Sequence, residues 1–241
     1  MKEQVYQKYD APQVTETMLQ DAAILFSENY GVWDEQATGS PVRLSKDRLR
    51  SQYLPDNATC FYVKVTVDGQ LAGNAFACRW TVNDKTVCWV TQLVVDRNYR
   101  ERGLAKGLLN QLKQNDVDIY GLMSSHPAAC LAAAKAFGDS ISTLQLGPIG
   151  KYAEEIMKAS PIDYVKGAKL RGSVFNPAAL FRLLIRHFFV DHNEPLEALA
   201  RVREEMDWPL GELVDGHEFL LILEARRRSR FRSTSRPESS S

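Results

Sequence analysis

VTQLVVDRNYRERGLAKGLL, residues 90–109, contains a change of period. Val90 to Val95 is an apolar, β-branched run that predicts a strand, whereas Leu104, Leu108, Leu109 and Leu112 trace one face of a helix. Between them lies a short basic loop ending in Gly103. The first amides of a helix have no partner inside it, and the helix dipole adds positive potential there. A pyrophosphate set against Arg102, Gly103, Leu104, Ala105 and Lys106 would satisfy those amides. Gly103 removes the side chain that would obstruct close approach, and Arg100, Arg102 and Lys106 surround the loop with charge.

Upstream, Met18, Leu19, Ala22, Leu25, Phe26 and Tyr30 recur at helical spacing with Thr15 as a cap, predicting a helix over 15–33. A second helix is expected to begin at Ser45, with Leu44 and Leu49 placed as a hydrophobic staple. CFYVKVTV (60–67), Leu71 to Trp80 and Thr86 to Val95 read as three strands, separated by turns at Asp68-Gly69 and Asn83-Asp84. Short polar turns between β-rich runs predict an antiparallel meander. Downstream, Asp118 to Met123 reads as a buried strand and Pro127 to Phe137 as an Ala-rich helix. The order ααβββαβα implies a parallel neighbour joined by a right-handed crossover. In 139–225, helices are expected near Ile149–Lys158 and Glu194–Glu205, an apolar run lies at Phe188–Val190, and a strand is expected at Phe219–Leu223.

Arg100-Glu101-Arg102-Gly103-Leu104-Ala105 resembles the coenzyme loop of the GNAT acetyltransferase superfamily, Gln/Arg-x-x-Gly-x-Gly/Ala. Leu93 and Val95 upstream, Leu108-Leu109 downstream and the element order extend the resemblance over about residues 15–138, toward fungal members of the superfamily. It implies an α/β (α+β) fold, with a mixed, mostly antiparallel sheet flanked by helices and an extended C-terminal part. It also implies acetyl-CoA (coenzyme A) as co-substrate. The strand before the loop, carrying Leu93, Val94 and Val95, would splay from the 118–123 strand and admit the pantetheine arm. The Leu93 amide would then polarise the thioester carbonyl, and Val95 would bond the pantetheine. The implied reaction is direct acetyl transfer to a primary amine, with a noncatalytic acyl-CoA-binding module as the alternative.

Acetylation of an amine needs a proton acceptor. Relatives often place a Glu or His on the strand before the loop; Trp89 and Thr91 stand there and cannot serve, and no Tyr occurs between Pro127 and Phe137. The local substitute is His126, flanked by Ser125, because an imidazole titrates near neutral pH. The alternative is that both cap the next helix, with Pro127 in its first turn. Cys130 reads as a buried helix thiol rather than an acetyl carrier. For the acceptor, the resemblance points to the segment between the first two helices. Tyr30, Trp33, Asp34 and Glu35 offer aromatic faces and carboxylates to a cationic amine, or else the two rings turn into the core. His187, Asp191, His192 and Glu194 flank an apolar run and read as its hydrophilic edge, and no metal is required by this chemistry.

With 241 residues, 44% hydrophobic and 25% charged, the chain can bury a core. The reading is one domain over 1–225, its core at 15–138 and its elaborated half at 139–225. Residues 226–241 form a basic tail too polar to fold; counted from residue 225, the end of the chain carries six Arg against one Glu. Cys60, Cys78, Cys88 and Cys130 show no close C-x-x-C spacing and read as core thiols of a reducing compartment. The N-terminus lacks an apolar secretory run, and no stretch approaches the ~18 apolar residues of a membrane span. The expected partner is a small-molecule or peptide amine, with no membrane involved and nucleic acid reached only through the tail. A monomer or homodimer in the cytoplasm or nucleus is expected.

Overall fold

The computed structural model describes residues 3–31, 40–138, 140–171, 182–184 and 191–225. The chain opens with β1 (Gln4–Asp10), a strand the sequence does not announce. It is an outer strand with little buried surface, so its residues need not alternate; its backbone pairing with the next strand, Gln4 opposite Val67 through Asp10 opposite Phe61, holds it. Two helices follow. α1 (Glu16–Asn29) is capped by the Thr15 hydroxyl, which accepts from the Met18 amide, and α2 (Lys46–Tyr53) by Ser45, which accepts from Arg48. Leu49 is fully buried and Leu44 partly so, as the staple pattern asks.

β2 (Thr59–Val67), β3 (Gln70–Val82) and β4 (Lys85–Val95) form the expected meander. Asp68 and Gly69 have φ of 50° and 82°, and Asn83 and Asp84 have 48° and 57°. Paired positive φ values give turns whose twist matches that of a hairpin. α3 (Leu104–Asn110) then crosses to β5 (Ile119–Ser124), and α4 (Pro127–Phe137) follows. The C-terminal half adds α5 (Gly147–Lys158), α6 (Asp163–Gly167), β6 (Lys169–Arg171), β7 (Arg182–Leu184), α7 (Asn193–Glu205) and β8 (His217–Glu224). The apolar run at 188–190, His187 and the basic tail at 226–241 lie outside the described residues.

The eight described strands form one sheet, ordered β1-β2-β3-β4-β5-β8-β7-β6, in which only β4 and β5 are parallel. Helices cover both faces. Gly73 on β3 points at Leu108 of α3, while Phe76, of opposite parity, lies against the Tyr53 ring of α2 at 5.7 Å. Leu104, Leu108, Leu109 and Leu112 are at most 1% exposed, the stripe the sequence predicts. Each such burial contributes roughly 1.5–3 kcal/mol. The cysteine expectation is half corrected. β2–β3 pairing sets Cys60 opposite Cys78, and they form a disulfide; Cys88 and Cys130 are buried free thiols. Register, which spacing along the chain does not reveal, brings that pair together.

Candidate active site

β4 and β5 pair from Val87 opposite Ile119 to Val90 opposite Leu122, and then part. Each keeps its outer neighbour, β4 holding β3 to Val95 and β5 holding β8 to Ser124, so a gap opens inside an intact sheet. A bulge marks the place: Phe76 faces Gln92 and Ala77 faces Val90, leaving Thr91 without a partner on β3. Bulges bend the strand that carries them and increase its twist. Trp89, wholly buried, sits two residues before Thr91. A Cβ on Gly121 would overlap the Trp89 ring, so this glycine makes the room for an indole at the branch. Trp89 and Thr91, unable to act as bases, therefore shape the gap.

Beyond β4, the chain bonds to itself before entering α3. The Asp96 carboxylate accepts from the Asn98 amide at 2.8 Å, and Glu101 and Gly103 adopt left-handed conformations at φ of 62° and 77°. Gly103 is the N-cap of α3, with no side chain to serve as one. A left-handed residue followed by a helical one forms a concave nest of amides suited to an anion. Among the described residues, nothing accepts from the amides of Leu104, Ala105 and Lys106. Its chain neighbours apart, no atom lies within 4 Å of where a Gly103 Cβ would stand, so the N-cap itself borders open space. Arg102 lies 5.4 Å over the Tyr99 ring, and both it and Lys106 are exposed. Leu104 is buried and Ala105 half-buried, so these two offer main chain to the loop.

Several expected residues have other work. Arg100 does not surround the loop with free charge. Its Nε donates to the Val95 carbonyl at 3.3 Å, one Nη to the Asn29 carbonyl at 2.7 Å, and the other pairs with Glu194 of α7. It ties the end of β4 to the ends of α1 and α7, and it occupies the Val95 carbonyl. The Val94 side chain packs with Leu25, Phe26 and Val42, leaving its main chain alone near the gap; Leu93 and Val95 are half-buried. His126 is the N-cap of α4, its Nδ1 accepting from the Ala128 amide at 3.2 Å, and its Nε2 lies 3.8 Å from Glu194. Burial pushes its imidazole down, with Glu194 opposing and Arg100 reinforcing the shift. The geometry thus gives His126 the capping role, and half-buried Ser125 is its neighbour in the chain. Cys130 is fully buried, and burial pushes its thiol far up, which rules against nucleophilic work.

A constellation that the sequence reading missed lies on the α2 side of the gap. Strand alternation from Gly121 to its partner Ile222, and on through Leu220, places Glu218 on the face that Trp89 covers. Tyr53 and Tyr164 meet edge to face at 6.2 Å, and the Tyr164 hydroxyl donates to the Thr91 carbonyl at 2.8 Å. Tyr30, stacked on Phe26 at 4.3 Å, closes the end of α1, and burial, with the Glu218 carboxylate adding to it, pushes its phenol far up. All four side chains are surrounded by protein yet only half-buried. Burial pushes the Glu218 carboxyl up to about 7 and the Tyr53 phenol up to about 12. Among the described residues no hydrogen bond or ion pair reaches Glu218. On β3 and β4 the Asn74 amide donates to Gln92 at 3.1 Å, while Asn74 Oδ1 and Thr91 Oγ1 are buried without partners. The signal was present in sequence as the alternation Glu218-x-Leu220-x-Ile222, which puts a carboxylate on a buried face. Of the acceptor residues expected, Tyr30 joins this group; Trp33, Asp34 and Glu35 lie outside the described residues.

Residues 25–124 match the Acetyltransferase (GNAT) family. The ribosomal-protein-S18-alanine N-acetyltransferase of Escherichia coli is similar over 55% of this chain and 76% of its own, at 19% identity and a TM-score of 0.37. A GNAT-family acetyltransferase of Streptococcus pneumoniae is similar over 55% and 83%, at 13% identity and 0.39. The glucosamine N-acetyltransferase region of a fungal multi-domain β-N-acetylglucosaminidase is similar over 51% of this chain but 14% of its own, at 15% and 0.40. These are likenesses of part of the chain, and they set no lineage or acceptor. No curated protein sequence matches the chain.

The GNAT match spans α1 from Leu25, the meander, the loop and β5, the elements that build the gap. Coenzyme A fits the residues present. The open amides of α3 with Arg102 and Lys106 would hold its diphosphate, and the parted strands with the unpartnered Thr91 hydroxyl would admit its arm. A separate groove of about 740 Å³, bordered by Gln20, Ile24, Ser27, Arg43 and Lys46, lies between α1 and the start of α2 and holds none of the four cleft residues. Among the described residues, no three His, Cys, Asp or Glu are grouped to hold a metal, and no helix is long and apolar enough to cross a membrane.

Proposed function

We propose that the chain is an N-acetyltransferase that moves an acetyl group from acetyl-CoA to a small or medium primary amine by direct attack. The observation carrying this reading is the end of β4–β5 pairing at Val90 and Leu122, beside a loop whose helix amides are open. The amides of Leu104, Ala105 and Lys106 hold the diphosphate, with Arg102 and Lys106 adding charge. Bound acetyl-CoA supplies an activated acyl group, a thioester carbonyl that an amine nitrogen can attack. Main chain of β4 near Leu93 orients that carbonyl and stabilises the oxygen as charge develops. Such donors are worth roughly 2.7–4 kcal/mol in other enzymes. Trp89 and Gly121 form the pair just before the last one, Val90 with Leu122, so the indole packs at the point where the strands part.

The test joins binding to turnover. Gly103→Glu puts a carboxylate where the phosphates lie and forces a side chain into φ of 77°, which costs roughly 1–2 kcal/mol of strain. Calorimetry with CoA should show wild-type binding abolished in the variant while its circular dichroism is kept. Release of CoA thiol across a panel of primary amines should be seen with the wild type alone. Unchanged CoA affinity in the variant removes this loop from the site; binding without turnover on any amine favours a noncatalytic acyl-CoA-binding module.

A further inference from the structure

We propose that Glu218, on β8 at the mouth of the gap and on the face of Tyr53 and Tyr164, binds the acceptor's ammonium group and takes its proton. This rests on the transferase reading of the same gap and supplies what that reading lacks, a base. The strand before the loop provides none, since Trp89 is buried in the branch and Thr91 carries only a hydroxyl.

Glu218 stands one residue beyond Phe219, whose partner Ser124 is the last residue of β5 held by β8. It therefore borders the mouth of the gap from the strand beyond β5, on the face covered by α1, α2 and α6. The titratable groups around it are Tyr30 from α1, Tyr53 from α2, Tyr164 from α6 and Cys130 from α4, all uncharged near neutral pH. On β7 its backbone partner is Leu183. Among the described residues no lysine or arginine pairs with it, and the groups around its carboxyl are phenols and a thiol. An ammonium group completes such a site, with its charge on the carboxylate and its carbon frame against ring faces. Tyr164 has a positioning role: its hydroxyl donates to the bulge carbonyl of Thr91 and so fixes the strand that presents the thioester.

The protons balance. The ammonium gives one to the Glu218 carboxylate, which becomes a neutral acid. The freed nitrogen pair forms the C–N bond to the thioester carbonyl carbon, and the C–S bond breaks with its electron pair on sulfur. The second nitrogen proton passes to that sulfur, giving the amide and CoA thiol, and Glu218 returns its proton to water. A base with pKa near the working pH is suited to this exchange.

The experiment uses the full chain with acetyl-CoA and four probes: 2-phenylethylamine, benzylamine, spermidine and glucosamine. Wild-type kcat/KM should rise with pH through an apparent pKa near 7. Glu218→Gln should lower kcat about 10²–10⁴-fold near neutral pH and lose that rise, with CoA affinity kept, and Glu218→Asp should restore part of the rate. Independently of turnover, NMR of protein carrying ¹³C-carboxyl glutamate should show one carboxyl titrating near 7, absent from Glu218→Gln and moved to lower pH by added 2-phenylethylamine. An active wild type whose Gln variant keeps the same pH profile, or a Glu218 carboxyl titrating in the ordinary range, overturns this role alone. A wild type that binds CoA but acetylates no amine overturns the transferase reading and this role with it.

Discussion

Replacing Glu218 by Gln should make the folded protein more stable, by an amount that grows with pH. The carboxyl has a pKa near 7 in the folded chain against 4.5 when solvated, because burial disfavours its charge. A folded state that holds its proton more tightly than the unfolded state loses stability as pH rises from about 4.5 through about 7, and the loss is complete above that. At 1.36 kcal/mol per pKa unit this amounts to roughly 3 kcal/mol, and to about 2 kcal/mol once allowance is made for the surface open to the cleft. Glutamine keeps the shape and carries no charge, so the variant avoids the penalty. For a chain of this size 1 kcal/mol moves Tm by roughly 2–4 °C. Scanning calorimetry on both proteins at steps from pH 5 to pH 8 should show the Tm gap widening by about 4–8 °C in favour of Gln. A gap that stays flat, or one that turns in favour of Glu as pH rises, would mean a paired carboxylate and would refute the lone buried acid described above. No substrate or coenzyme is needed, so this outcome is independent of catalysis.

Two further substitutions address residues that shape the site. His126→Ala removes the acceptor for the Ala128 amide and should cost about 1 kcal/mol in urea unfolding, while leaving the pH–rate profile of acetyl transfer unchanged; a lost ionisation in that profile would give His126 a part in proton transfer. Gly121→Ala drives a methyl into the Trp89 ring and should destabilise by roughly 1–3 kcal/mol, with a shift in tryptophan emission and weakened CoA affinity; full stability would show that the indole at the branch is free to move.

The sequence alone determined the meander, its turns and the strand–loop–helix after it, because these rest on local chemistry. Asp68-Gly69 and Asn83-Asp84 tolerate the left-handed turns, the four leucines of α3 recur at its period, and Thr15 and Ser45 cap α1 and α2. Gly103 and the open amides behind it were legible for the same reason, their requirement being met within a few residues. Only the tertiary structure decided what depends on register and on elements distant in the chain. β1 is held by backbone pairing rather than by an apolar pattern, and the Cys60–Cys78 bond exists because two strands align. Arg100 looks like a phosphate ligand in sequence, yet Asn29, 71 residues away, and Glu194, 94 residues away, claim its guanidinium. The grouping of Tyr30, Tyr53, Tyr164 and Glu218 is of the same kind. Each comes from a different element, and only the placing of α1, α2, α6 and β8 around one gap in the sheet makes a single low-dielectric cleft of them.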